Sequence, residues 1–248
     1  GLVLPSYRGC GISVEINRYI CEILAVQLDM EAIFNESVCN HIYMQKSWGA
    51  LGNLETALEV DLMPEEAYAK EKSASGRVAT LCMFRIYKPR PHRVYIPSMY
   101  DENVNSLYSG LNDPRTLILS SGKAYPEGKT EFKLQIFDFA KVARIAFYDA
   151  GQDFKKVFDR NEKELFLRGM TVIQVWLRLT WPWIDKIVMH LRGKNYFLGG
   201  ILPRWFDDDG LLMQKIIGRP NWEGIQLYSE RAKKILSIVK EDWARTRP

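Results

Sequence analysis

An α+β fold is the class this sequence predicts, and three observations carry it. Residues 1–75 read mostly as helix. Residues 76–179 alternate strand-like apolar runs with Gly, Pro and Asn turns. The chain then closes on a long amphipathic helix, Tyr228 to Trp243, with Ala232, Ile235, Leu236 and Val239 on one stripe.

In chain order, Ser13 is placed to cap a helix whose Ile16, Ile20, Ile23 and Leu24 keep the three-and-four spacing of a buried helical stripe. Pro64 opens a second helical stretch, Glu65 to Lys70, at the position where a missing N–H costs nothing. Ser73-Ala74-Ser75-Gly76 breaks the pattern and is the best internal boundary. Val78 to Tyr87 is dense in β-branched and aromatic residues and predicts a strand. Lys88-Pro89-Arg90-Pro91 turns the chain, and Arg93 to Ile96 is expected to return as its hairpin partner. Ser98 starts a helix carrying Val104, Leu107 and Leu111, which Asn112-Asp113-Pro114 ends. Two turn-and-strand segments follow, 127–136 and 142–152, then a strand from Val172 to Leu179 that Trp181-Pro182-Trp183 interrupts. Asp207-Asp208-Asp209-Gly210 reads as a turn with solvated charges before Leu211, Leu212, Ile216 and Ile217. The sequence shows no internal repeat.

Composition narrows the function classes. The chain of 248 residues can bury a real core, and 47% hydrophobic with 26% charged residues is ordinary for a folded protein. A first residue other than Met is what an excised piece of a longer protein, or a tag scar, is expected to show. A net charge of +4 implies no nucleic-acid partner by itself. The four cysteines form no CxxC pair, and three histidines supply no zinc spacing, so free thiols in a reducing, cytoplasmic setting and no metal are expected. No apolar run approaches the ~20 residues of a membrane span, so no membrane partner is expected.

The stretch Phe147-Tyr148-Asp149-Ala150-Gly151-Gln152, after the strand Val142 to Ala146 and the segment Glu127-Gly128-Lys129-Thr130-Glu131-Phe132, resembles the central hairpins of a Tudor barrel. That family's signature ends in Phe-x-Asp-Tyr-Gly-Asn. With Val94-Tyr95-Ile96 and the helix around Leu107 upstream, the order is similar to an extended Tudor domain. The resemblance implies a Tudor-like small β-barrel, core about 120–168, joined to a staphylococcal-nuclease-like OB fold over 76–248. Residues 1–75 would then be a mostly helical N-terminal extension, with a further helix at the C-terminus.

The resemblance also implies a ligand. Tudor domains hold methylated arginine against aromatic faces, through the attraction of a cation to the ring quadrupole. The matching positions give Phe147, Phe132 and Tyr125 as rings, with Asp149 and Gly151 shaping the turn and Gln152 supplying an amide. Ala150 stands where the family has a ring, so one wall is missing, and a lost face at ~0.5–2 kcal/mol is enough to disable a weak pocket. Phe147 and Phe132 are equally ordinary core residues of such a barrel.

Other chemistry is thinner. No GxSxG, P-loop or dinucleotide glycine pattern surrounds Ser6, Ser120 or Ser121. Cys39 and His41 share a side only on a strand, and a packed thiol beside a surface imidazole is the expected reading. No enzymatic activity and no cofactor are expected. Trp181 and Trp183 flank a rigid proline and are candidates for a partner groove. The expectation is a non-catalytic protein-interaction module, implied by the family to be a cytoplasmic scaffold of small-RNA (piRNA) silencing and germ granules. Its expected partner is a protein or peptide, an arginine-rich one among the candidates, bound independently of methylation. The alternative is a single-stranded RNA-binding domain using Lys88, Arg90, His92 and Arg93 with Arg231, Lys233, Lys234, Lys240, Arg245 and Arg247.

Overall fold

The computed structural model describes residues 3–7, 9–70, 72–122 and 124–247. The architecture is α+β. Ten strands occur: β1 (Ala32–Val38), β2 (Leu54–Met63), β3 (Val78–Ile86), β4 (His92–Ile96), β5 (Arg115–Leu119), β6 (Glu131–Phe137), β7 (Val142–Asp149), β8 (Val172–Arg178), β9 (Phe197–Leu202) and β10 (Gly210–Ile216). Eight build one sheet in the order β1-β3-β2-β9-β10-β8-β7-β6, while β4 and β5 pair separately and in parallel. Within the large sheet β7 and β8 are parallel and the remaining neighbours antiparallel.

Side chains of a strand alternate between faces, and here the alternation sorts two environments. One face supplies Leu58, Leu81, Ile145, Val175 and Met213 to the main core. That core is completed by α4 (Asp101–Tyr108), α5 (Phe154–Leu167), α6 (Ile184–Arg192) and α7 (Glu230–Ala244). The opposite face carries a smaller apolar cluster, including Phe84, Trp176 and Leu212, with Trp205 and Phe206 against it.

That second face is concave. Nη2 of Arg144 on β7 lies 2.8 Å from Glu36 on β1 and 2.8 Å from Glu59 on β2. Five strands separate β1 from β7, so a flat sheet would hold them roughly 29 Å apart. Only a strongly curled sheet brings the two side chains together.

The strand order is also a palindrome. A helix precedes β1 in three consecutive pieces: α1 (Ile12–Arg18), a π-helical turn (Tyr19–Leu24) and α2 (Ala25–Gln27). After β1 come α3 (Tyr43–Ala50), β2 and β3, and β3 pairs with both β1 and β2. In the second half α5, β8, α6, β9 and β10 follow in the same order, and β10 pairs with both β8 and β9. Even the punctuation agrees, with Met63-Pro64 closing β2 and Leu202-Pro203 closing β9. The halves meet where Ala57 of β2 faces Gly200 of β9. A Cβ on Gly200 (φ 138°) would fall 2.4 Å from Ala57 Cα, so only glycine permits this approach.

Several expectations change. Residues 1–75 are not mainly helical, because β1 and β2 lie in the main sheet and β2 pairs with β3 across the Ser73–Gly76 break. The stretch 120–168 forms a hairpin, β6–β7, and helix α5, not a closed barrel. β7 uses its other edge to pair in parallel with β8, which the connecting helix permits and a hairpin could not. β4 pairs with β5 instead of folding back on β3. A repeat exists in topology although none is visible in the sequence.

Candidate functional site

The residues expected around a methylarginine pocket lie together, but as packing. Phe147 is fully buried, and its ring centroid is 5.7 Å from Phe132, 4.9 Å from Phe154 and 6.3 Å from Phe158. Tyr125 stacks on Phe154 at 6.3 Å, and burial pushes its hydroxyl up to about 12. Asp149 and Gln152 are exposed, and Asp149 accepts a hydrogen bond from the Ala150 N–H at 2.8 Å. Gly151 is required by a close approach of the backbone. A Cβ there would sit 2.2 Å from the Gly128 carbonyl oxygen. Trp181 is 5% exposed in the main core, and Trp183, half-buried, stacks on it at 6.4 Å with 12° between the planes. The rigid proline thus aligns two rings within one core instead of displaying them to a partner.

A guanidinium on aromatic faces does occur in the molecule, and it is the chain's own. Arg144 lies 5.0 Å from the Trp176 ring and 5.6 Å from Phe137, with Glu36 and Glu59 as its anions. Burial, then the nearby Glu59 charge, pushes the Glu36 carboxyl up to about 7. Glu59 also accepts from Thr80 Oγ1 at 2.7 Å and Gln174 Nε2 at 2.9 Å.

The basic residues weighed for RNA are largely engaged. Lys88 pairs with Asp29, Arg90 with Asp207 at 3.0 Å, and Lys233 with Glu230 at 2.6 Å. Arg231 donates to the carbonyls of Glu55, Leu107 and Ser109. Asp209, read as part of a solvated turn, is instead buried, taking Arg115 Nε at 2.5 Å and His92 at 3.4 Å. Burial opposes its charge, yet hydrogen bonds from His92 and Arg115 hold its carboxyl well below the usual range. Burial drives the Cys39 thiol well up, and His41 down, which leaves this pair without a nucleophile. Among the described residues no group of His, Cys, Asp or Glu is arranged to hold a metal ion, and no helix is long and apolar enough to cross a membrane.

What stands out on the surface is the first helix. A helix on a globular surface turns its apolar stripe inward and its polar residues to water. This one half-buries Ile20 and Leu24 but leaves a second apolar stripe in water. Asn17, Cys21 and Ala25 are its buried positions. Asn17 Nδ2 donates to Ser47 Oγ at 3.1 Å, and the Cys21 carbonyl accepts from Tyr87 Oη at 2.7 Å. Its solvent side carries Ile12, Ile16, Tyr19, Ile23 and Val26, at alternating steps of four and three residues, all exposed. Beside it opens a groove of about 490 Å³ whose lining includes Ile20, Met30, Ile33, Phe34 and Trp205. Phe34, half exposed, meets Trp205 edge-on at 4.6 Å. The sequence did contain this stripe, but spacing alone cannot say whether a stripe faces inward or outward.

Comparison with known proteins adds little. The sequence matches no family model and no curated protein. Among solved structures, a crystal structure of Ard1 from Thermoplasma volcanium is similar over 36% of this chain and 64% of that one, at 12% identity and a TM-score of 0.29. The chain thus spans just under two thirds of that protein.

Proposed function

We propose that this chain is a protein-interaction module, and that its docking surface is the apolar stripe of the first helix with the adjoining groove at Phe34 and Trp205. One observation carries the reading: Ile12, Ile16, Tyr19, Ile23 and Val26 form an exposed apolar stripe on a helix whose Asn17 is buried. Contiguous exposed apolar surface of this kind marks interaction sites in soluble proteins. Lys88, Arg90 and Lys233 already pair with acids, which lowers the positive charge left to neutralise a phosphate backbone and favours a protein partner over RNA. The partner is bound independently of arginine methylation, since Phe132 and Phe147 are spent on one another and on α5.

The test compares the wild-type chain with an Ile16→Lys/Ile23→Lys variant as baits, then rebuilds each complex from purified components. Both positions are exposed, so the variant should fold normally. A partner that binds the wild type and is lost from the variant supports the reading. An identical set of reconstituted partners for both baits removes it.

A further inference from the structure

The two halves differ in what lies against their first helices, and that difference names the partner's shape. In the second half α5 buries the stripe that the first helix exposes. Phe154, Phe158 and Leu165 are the first, fifth and twelfth residues of α5, and they are 0%, 0% and 2% exposed. Counted from Ile12, the corresponding residues of the first helix are Ile12, Ile16 and Ile23, at 37%, 51% and 43%. Beneath α5 lies β7, whose Phe147 touches Phe154 and Phe158. β7 reaches that place by pairing in parallel with β8, from Val142 opposite Val172 to Ala146 opposite Trp176. The counterpart of β8 is β1. Among the described residues it is the outer strand of the sheet and pairs on one side only, with β3.

We infer that the open edge of β1 and the bare stripe of the first helix together take one extended segment of a partner polypeptide, added to the sheet as a parallel strand beside β1. This rests on the interaction reading above and specifies its partner. Two independent features are satisfied at once. The unpaired backbone groups along β1 gain hydrogen bonds, and apolar side chains on alternate residues of the added strand cover Ile12, Ile16 and Ile23, as Phe147 covers α5. A docked helix would cover the stripe but leave the strand edge open.

The test uses a defined probe, a fluorescein-labelled peptide with the sequence of residues 140–151, which contains β7 and carries Phe147. It is titrated into the full chain by anisotropy, with hydrogen exchange followed in the same samples. The expected result is saturable binding at sub-millimolar peptide, at least tenfold weaker for Ile16→Lys/Ile23→Lys and separately for Val26→Lys. Alternate β1 amides, on the side facing away from β3, should slow. Binding that depends on the isoleucines but leaves β1 exchange unchanged overturns strand addition while the interaction surface survives. Binding indifferent to the isoleucines, or absent at millimolar peptide, overturns the strand assignment, and the bait comparison then decides the broader reading by itself. Concentration-dependent self-association of the chain alone, abolished by the same double variant, replaces the foreign strand with a second copy and overturns the inference.

Discussion

Arg144 and Glu36 are joined at 2.8 Å although five strands of the same sheet lie between the strands that carry them. The contact closes the curl of the sheet across its concave side, with Glu59 as the second anion. Two carboxylates therefore share one guanidinium, and the Glu36 carboxyl is raised, first by burial and then by the Glu59 charge.

Replacing Arg144 with Met keeps the stem that packs on Trp176 but leaves Glu59, 1% exposed, without its cation. Stranding a buried charge costs about 3–5 kcal/mol, which urea denaturation should read as a lowered midpoint. Adding Glu59→Gln to the same chain should restore much of the loss, since the stranded charge goes with it.

Stability should fall as pH rises toward neutrality. The Glu36 carboxyl is pushed up to about 7 and that of Asp61 to about 6, chiefly by burial in both cases. Each therefore binds its proton more tightly folded than unfolded, and the stability this provides is lost as pH climbs from about 4 to about 7. Asp209, held low by His92 and Arg115, acts in the opposite sense and removes stability only in stronger acid. The thermal midpoint should peak near about pH 4, between these windows. Glu36→Gln should flatten the decline between pH 5 and 7, and an unchanged slope would place its origin elsewhere.

The two matching helices should respond differently to the same substitution. Phe158→Ala opens a cavity in the main core and should cost about 3–5 kcal/mol. Ile16→Ala, at the corresponding but exposed position, should cost under about 1 kcal/mol in the isolated chain. The asymmetry should shrink when a strand partner is bound.

Gly200→Ala probes the junction of the halves. The added methyl would meet Ala57 Cα and the Thr56 carbonyl oxygen, each at 2.4 Å, with φ at 138°. A loss of about 3 kcal/mol or more is expected in chemical denaturation. Gly169→Ala, with open space around its Cβ and φ at 76°, provides the comparison for backbone strain alone.

Which parts of this molecule were legible in its sequence follows from how locally each is determined. β3, β8 and α7 showed their periodicity directly, and Ser229 caps α7 by accepting from Ala232 N at 3.0 Å. β2 was hidden because Glu55 and Glu59 stand four apart, like charges on an exposed helix face. In the fold both are buried, Glu59 by Arg144 and Glu55 by Ser229 at 2.7 Å. Those partners lie 85 and 174 residues away, beyond any window of local pattern. The repeat was invisible for a related reason, since strand order is conserved in space while side chains are not. The stripe expected to be buried divides in the fold: Ile20 and Leu24 are half-buried, while Ile16 and Ile23 face water. Its direction depended on Asn17 and Cys21 finding Ser47 and Tyr87, contacts that no spacing encodes.

Helix α7 runs across the place where the two halves meet. The Asp242 carboxylate accepts from the Leu198 N–H on β9 at 2.7 Å, and Arg231 Nε donates to the Glu55 carbonyl on β2 at 2.6 Å. On the ribosome both strands emerge before this helix exists. Each half can therefore form its local pairings early, but the clasp that fastens one to the other is made only after both. The nascent protein holds two halves without that clasp until α7 is synthesised.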